Sequence, residues 1–108
     1  MKHALIVAVT LVASLAAAAP RHRCADAAVV QAKRFLEFHF GPDDRIEIEP
    51  NVTVRPPLRS VNGKDRFDVL EVWGYIYKGQ YRMRLLYAQK ITGECVLMGQ
   101  EIVDASRL

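Results

Sequence analysis

Residues 66–90 contain no proline, are rich in β-branched and aromatic side chains, and are interrupted only by Lys78-Gly79-Gln80. Two β-prone runs on either side of a short turn predict a long antiparallel hairpin, with strands over 66–77 and 81–90. Successive side chains of a strand point to opposite faces, so this ribbon divides its residues into two sets. A three-residue turn at 78–80 pairs Tyr77 with Tyr81, Tyr75 with Met83 and Trp73 with Leu85. One face then carries Phe67, Val69, Trp73, Tyr75, Tyr77, Tyr81, Met83, Leu85 and Tyr87. The other carries Leu70, Val72, Leu86 and Ala88, with Arg82, Arg84 and an Asp68–Lys90 charge pair around them. Both faces are apolar enough to need a cover.

Only one cover is available. Taken at 100° per residue, Ala25, Ala28, Val29, Ala32, Phe35, Leu36, His39 and Phe40 fall on one helical face, and Asp26, Lys33, Arg34 and Glu37 fall outside it. Asp26 suits the positive end of the helix, and Gly41-Pro42 stops it. Ile46, Ile48, Val52 and Val54 share a parity over 45–55, which predicts one long strand with Pro50 at a sheet edge, ended by Pro56-Pro57. Thr92-Gly93 turns the chain into a last strand over 94–103. The fold class is α+β: one N-terminal helix packed on a four-stranded antiparallel meander sheet. By element order alone this resembles the cystatin-like topology. The central Q-x-V-x-G loop of true cystatins is missing, and Lys78-Gly79-Gln80 does not match it.

The aromatic face of the hairpin is assigned to the helix side. The face with Leu70, Val72, Leu86 and Ala88, rimmed by Arg82 and Arg84, is left open as the expected partner-binding surface. A loop over 56–64 is the alternative cover for it. Cys95 is expected on the helix side, near Cys24, which places Val96, Met98 and Ile102 on the far side with Leu86.

The N-terminus reads as a secretory leader. Met1-Lys2-His3 is basic, residues 4–15 are apolar but for Thr10 and Ser14, and Ala16 and Ala18 satisfy A-x-A for cleavage after Ala18. The apolar run is shorter than a membrane span. Arg21-His22-Arg23 before Cys24 excludes a lipobox. Residues 1–18 are therefore expected to be a signal peptide and 19–108 a single small domain, periplasmic or secreted, with no membrane span. In that compartment Cys24 and Cys95 are expected to form a structural disulfide. Without Lys2 the chain keeps 14 Lys and Arg against 12 Asp and Glu, a net charge of +2 that gives no basis for nucleic-acid binding.

No catalytic constellation is visible. His39 lies at a helix end without a second histidine or a matched carboxylate, and Asp43-Asp44 and Glu47/Glu49 read as solvated groups without metal-site spacing. The Asn51-Val52-Thr53 sequon carries no glycan in a bacterial export product. No metal or cofactor is expected. The leading expectation is a non-catalytic binding or accessory protein acting by protein contact, on another envelope or extracellular protein or on itself as a homodimer. One alternative is a small-ligand carrier with an aromatic pocket between helix and sheet, formed by Trp73, Tyr75, Tyr87 and His39. Another is a small enzyme with dispersed catalytic residues.

Overall fold

The computed structural model describes residues 3–10 and 20–106. Residues 3–10 form neither helix nor strand, and the expected cleavage site after Ala18 lies outside the described residues.

The helix α1 spans Ala25–Phe40, as the periodicity predicts. Cys24 occupies the N-cap without a side-chain bond, and Asp26 lies inside the first turn, where its carboxylate meets Arg21 at 3.0 Å. Gly41 ends the helix at φ 81°, a conformation open to a residue without Cβ, and its N–H still bonds the Glu37 carbonyl. Ala25, Ala28, Ala32, Phe35 and Leu36 are buried, whereas His39 and Phe40 run off the end of the sheet and are exposed.

Five antiparallel strands follow: β1 Ile46–Ile48, β2 Thr53–Arg59, β3 Arg66–Ile76, β4 Gly79–Ala88 and β5 Leu97–Asp104. The last three run as a meander, and β1 and β2 both pair with the outer side of β3. The single edge strand expected over 45–55 is thus two strands on one edge. Ile48 stands opposite Gly74 and Thr53 opposite Glu71, so two extra residues bulge out around Pro50, which cannot donate to a ladder. An even insertion preserves parity, and Ile46, Ile48 and Val54 still lie opposite Ile76, Gly74 and Leu70. Pro56-Pro57 does not end β2 but forms a second bulge, after which Leu58 pairs with Phe67.

The hairpin is where expectation and structure differ most. Its turn is two residues, Tyr77-Lys78, with Tyr77 at φ 53°, and Gly79 already belongs to β4. Two-residue hairpins need positive φ, which twists the ribbon in the favoured sense. Val72 therefore pairs with Met83 and Leu70 with Leu85. The pairing differs from the expected one by three residues, an odd number, which inverts β3 relative to β4. Tyr81, Met83, Leu85 and Tyr87 face the helix as expected, but their companions are Leu70, Val72, Gly74 and Ile76. Asp68 stands opposite Tyr87, so the expected pair with Lys90 does not form.

The core lies between α1 and this face. Leu36, Leu70, Val72, Met83 and Leu85 are fully buried, joined by Cys24, Ala28, Ala32, Phe35 and Tyr87. Gly74 marks the closest approach: a Cβ there would stand 2.7 Å from Leu36 Cδ1 and 2.8 Å from Met83 Cε. Cys24 and Cys95 are bridged, with Cα atoms 5.6 Å apart, and the bond ties the helix start to the segment before β5. β5 begins three residues later than expected and carries a bulge of its own, with Met98 left unpaired between Leu97 opposite Tyr87 and Gly99 opposite Leu86. Ile102 consequently faces the helix side opposite Met83, while Val96 and Met98 line a groove with Phe67 and Ala88 on the other face.

Candidate functional site

Among the described residues no second layer covers the face of the sheet away from α1. Strand alternation puts Phe67, Val69, Glu71, Trp73 and Tyr75 of β3 there, beside Arg82, Arg84, Leu86 and Ala88 of β4. Glu101 and Val103 of β5 and Leu58 of β2 complete it.

A charge cluster occupies the centre. Glu71, Arg84 and Glu101 stand side by side on three neighbouring strands. Arg84 Nε donates to Glu71 Oε1 at 3.2 Å, and Arg84 Nη1 lies 3.9 Å from Glu101. Arg82 lies 3.8 Å from Glu71 and 4.0 Å from Glu101. Its Nε is buried without a hydrogen-bond partner, because 3.8 Å is beyond hydrogen-bond range. Two cations alternate with two carboxylates, so the cluster is neutral and directional rather than an anion trap. At one end Tyr75 Oη donates to Glu49 at 3.0 Å, and that bond, with burial, raises the phenol above its ordinary pKa.

The other end is apolar. Pro56, Leu58, Val69 and Leu86 line a shallow cleft with Arg55, Arg84 and Glu101. A second groove is lined by Phe67, Ala88, Val96 and Met98 together with the polar Asp65, Arg66, Gln89 and Lys90. Leu58 and Met98 are half exposed, at 50% and 55%.

The expected partner surface is therefore split. Leu86, Ala88, Arg82 and Arg84 are on the open face, but Leu70 and Val72 are fully buried beneath α1. The expected ligand set is dispersed: Trp73 and Tyr75 are on the open face, Tyr87 is buried on the helix side, and His39 is exposed at the end of α1, its ring edge-on to Phe35 at 4.9 Å. The four residues form no common pocket. Asp43 belongs to a local turn in which Arg45 bonds its carboxylate and holds it at about 2.

His22, read as part of a tail, is built into the fold. Its Nδ1 accepts the Cys24 N–H at 2.9 Å, which leaves Nε2 to donate to Asp68 Oδ2, also at 2.9 Å. Gln89 donates to the other Asp68 oxygen at 2.8 Å. Both ring nitrogens are engaged, so this His–Asp pair anchors the segment before α1 to the sheet and offers no free base. Burial opposes ionisation of Asp68, but the bonds from Gln89 and His22 and the nearby charge of Arg23 outweigh it and hold the carboxyl below its usual range. A lowered folded-state pKa stabilises the fold above the unfolded value and loses that effect as pH falls through the folded one. Asp68→Asn should cost about 1–3 kcal/mol at neutral pH. Urea titrations across acid pH should show the gap to the parent protein narrowing below about pH 4. A gap that is constant with pH would refute the ionised pairing.

No group of three or more His, Cys, Asp or Glu among the described residues could hold a metal, and no described helix is long and apolar enough to cross a membrane. No family model, curated protein or solved structure matches the chain.

Proposed function

We propose that this chain is an exported, non-catalytic binding module that acts by protein contact through the open face of its sheet. The observation that carries the reading is the composition of that face: an apolar end around Leu58, Phe67, Leu86, Ala88 and Met98, set against the Arg82–Arg84–Glu71–Glu101 cluster. Apolar contact supplies affinity, and ordered charges at its margin select orientation and partner. Completing the burial of side chains that are already half covered contributes about 1 kcal/mol each, enough in sum to matter against the cost of association. The leader read over residues 1–18 supports export, and the disulfide fits an oxidising compartment. The engagement of both His22 nitrogens and both cysteine sulfurs supports a non-catalytic role, since these groups are committed to structure and the exposed His39 has no matched carboxylate or second histidine beside it.

Leu58→Glu and Met98→Glu place a charge at exposed positions of the apolar end and should leave the circular dichroism spectrum unchanged. Each should lower by tenfold or more the capture of a discrete partner from the native envelope or extracellular fraction. Undiminished capture by both folded variants would rule out the open face as the contact.

A further inference from the structure

We propose that β5 is a pairing edge through which two copies of the chain join into one continuous sheet, related by a two-fold axis at Ile102. This is independent of the open-face reading, because it uses the backbone edge of the sheet and not its surface.

The two edges of the sheet are built differently. On one side, Pro50, Pro56 and Pro57 and two bulges interrupt β1 and β2, the devices by which proteins blunt an edge. On the other, β5 has one bulge, at Met98 near its start, and then runs regularly from Gly99 to Asp104 without proline or lysine. Among the described residues it pairs only with β4.

The hydrogen-bond phase of β5 follows from one contact. Ala105 N–H bonds the Gln80 carbonyl at 2.8 Å, so residue 105 turns its backbone groups toward β4. In an antiparallel ladder this alternates. Residues 103 and 101 do the same, and Gln100 and Ile102 present N–H and C=O to the outside.

Face continuity and charge select the register. Faces stay continuous across a two-fold axis normal to the sheet only when residues of the same parity meet. An axis at Glu101 would set two carboxylates opposite each other, which is destabilising. An axis at Ile102 pairs Ile102 with its own copy through two N–H···O=C bonds. It sets Glu101 of one copy opposite Val103 of the other, and Gln100 opposite Asp104, an amide facing a carboxylate. The Gln100 amide oxygen already accepts from Gln31 at 3.2 Å, which leaves its NH₂ group to face a carboxylate whose Oδ1 is already bonded by Ser106 of its own chain. A strand whose best partner is itself in reverse is the condition for an isologous dimer.

Sedimentation equilibrium of the disulfide-intact mature chain should show a concentration-dependent approach to twice the monomer mass. Gln100→Pro removes an outward N–H at a position where an edge strand tolerates proline. It should abolish the dimer and leave circular dichroism unchanged. Ile102→Cys should form an interchain disulfide in high yield on mild oxidation, since paired Cα atoms would lie about 5.5 Å apart, within the about 4.4–6.8 Å that a disulfide spans. Gln100→Cys should not link, because that register separates its two copies by more than about 12 Å. A chain that stays monomeric at all concentrations overturns the proposal. So does a dimer that survives Gln100→Pro, or one that is lost only in Leu58→Glu, which would place the contact on the open face. If Gln100→Pro disturbs the fold, the two cysteine variants decide: linking at 102 and not at 100 upholds the register, and any other pattern overturns it.

Discussion

Val72→Glu is expected to abolish cooperative folding. Val72 is fully buried in the centre of β3, opposite Met83 and beneath α1. The substitution removes an aliphatic side chain worth about 1.5–3 kcal/mol when buried. It also places a carboxylate where the surrounding core side chains are apolar. An ionised group there costs several kcal/mol more, and protonating it to avoid that cost takes about 1.4 kcal/mol for every unit its pKa rises. The total is about 5 kcal/mol or more, comparable to the whole stability of a small domain. Urea or thermal denaturation followed by near-ultraviolet circular dichroism should show no cooperative transition. The inverted pairing, with Trp73 and Tyr75 inward, would put residue 72 on the open side and leave the variant folded. A native spectrum for Val72→Glu would therefore refute the observed register.

The second large effect is expected from Cys95→Ser. The bridge joins residues 71 apart in sequence. In the chain-entropy view, closing a loop of that length in the unfolded chain stabilises the fold by about 4 kcal/mol. Cys24 is fully buried at the first turn of α1, so the same bond fixes where the helix meets the sheet. The His22–Asp68 contact, two residues before Cys24, leans on that anchorage. Chemical denaturation should show a loss of roughly 2–5 kcal/mol, and thiol titration of the denatured, unreduced parent protein should find no free cysteine. A loss below about 1 kcal/mol would mean that the unfolded chain gains little freedom from breaking the bridge.

Much of this architecture is a local property of the chain. α1 ends where Gly41-Pro42 dictates, and its small apolar stripe is the buried one, because a period of 3.6 residues is imposed by the backbone itself. The parity of Ile46, Ile48 and Val54 survived a bulge that sequence reading did not foresee, since two inserted residues restore the face. The pairing of Cys24 with Cys95 followed from there being only two cysteines to pair.

The open face was less legible, for one physical reason. β3 is apolar on both parities, so its sequence does not say which side is core. That depended on whether the turn takes two residues or three, and a one-residue change in register exchanges the faces. Gly74 was the available clue. A strand residue without a side chain permits the close approach that Leu36 makes there, and the bulkier Trp73 and Tyr75 do not. Glu71 and Glu101 entered the site only once β3, β4 and β5 were aligned, because a cross-strand charge cluster has no signature in any single strand. His22 and Asp68, 46 residues apart, belong to the same class. The residue sequence by itself determined the helix, the central hairpin, the order of the elements and the covalent tie between Cys24 and Cys95. Tertiary packing alone decided which face of the sheet meets the helix, and with it which side chains the protein presents, because that choice rests on contacts between distant segments and not on the propensity of either.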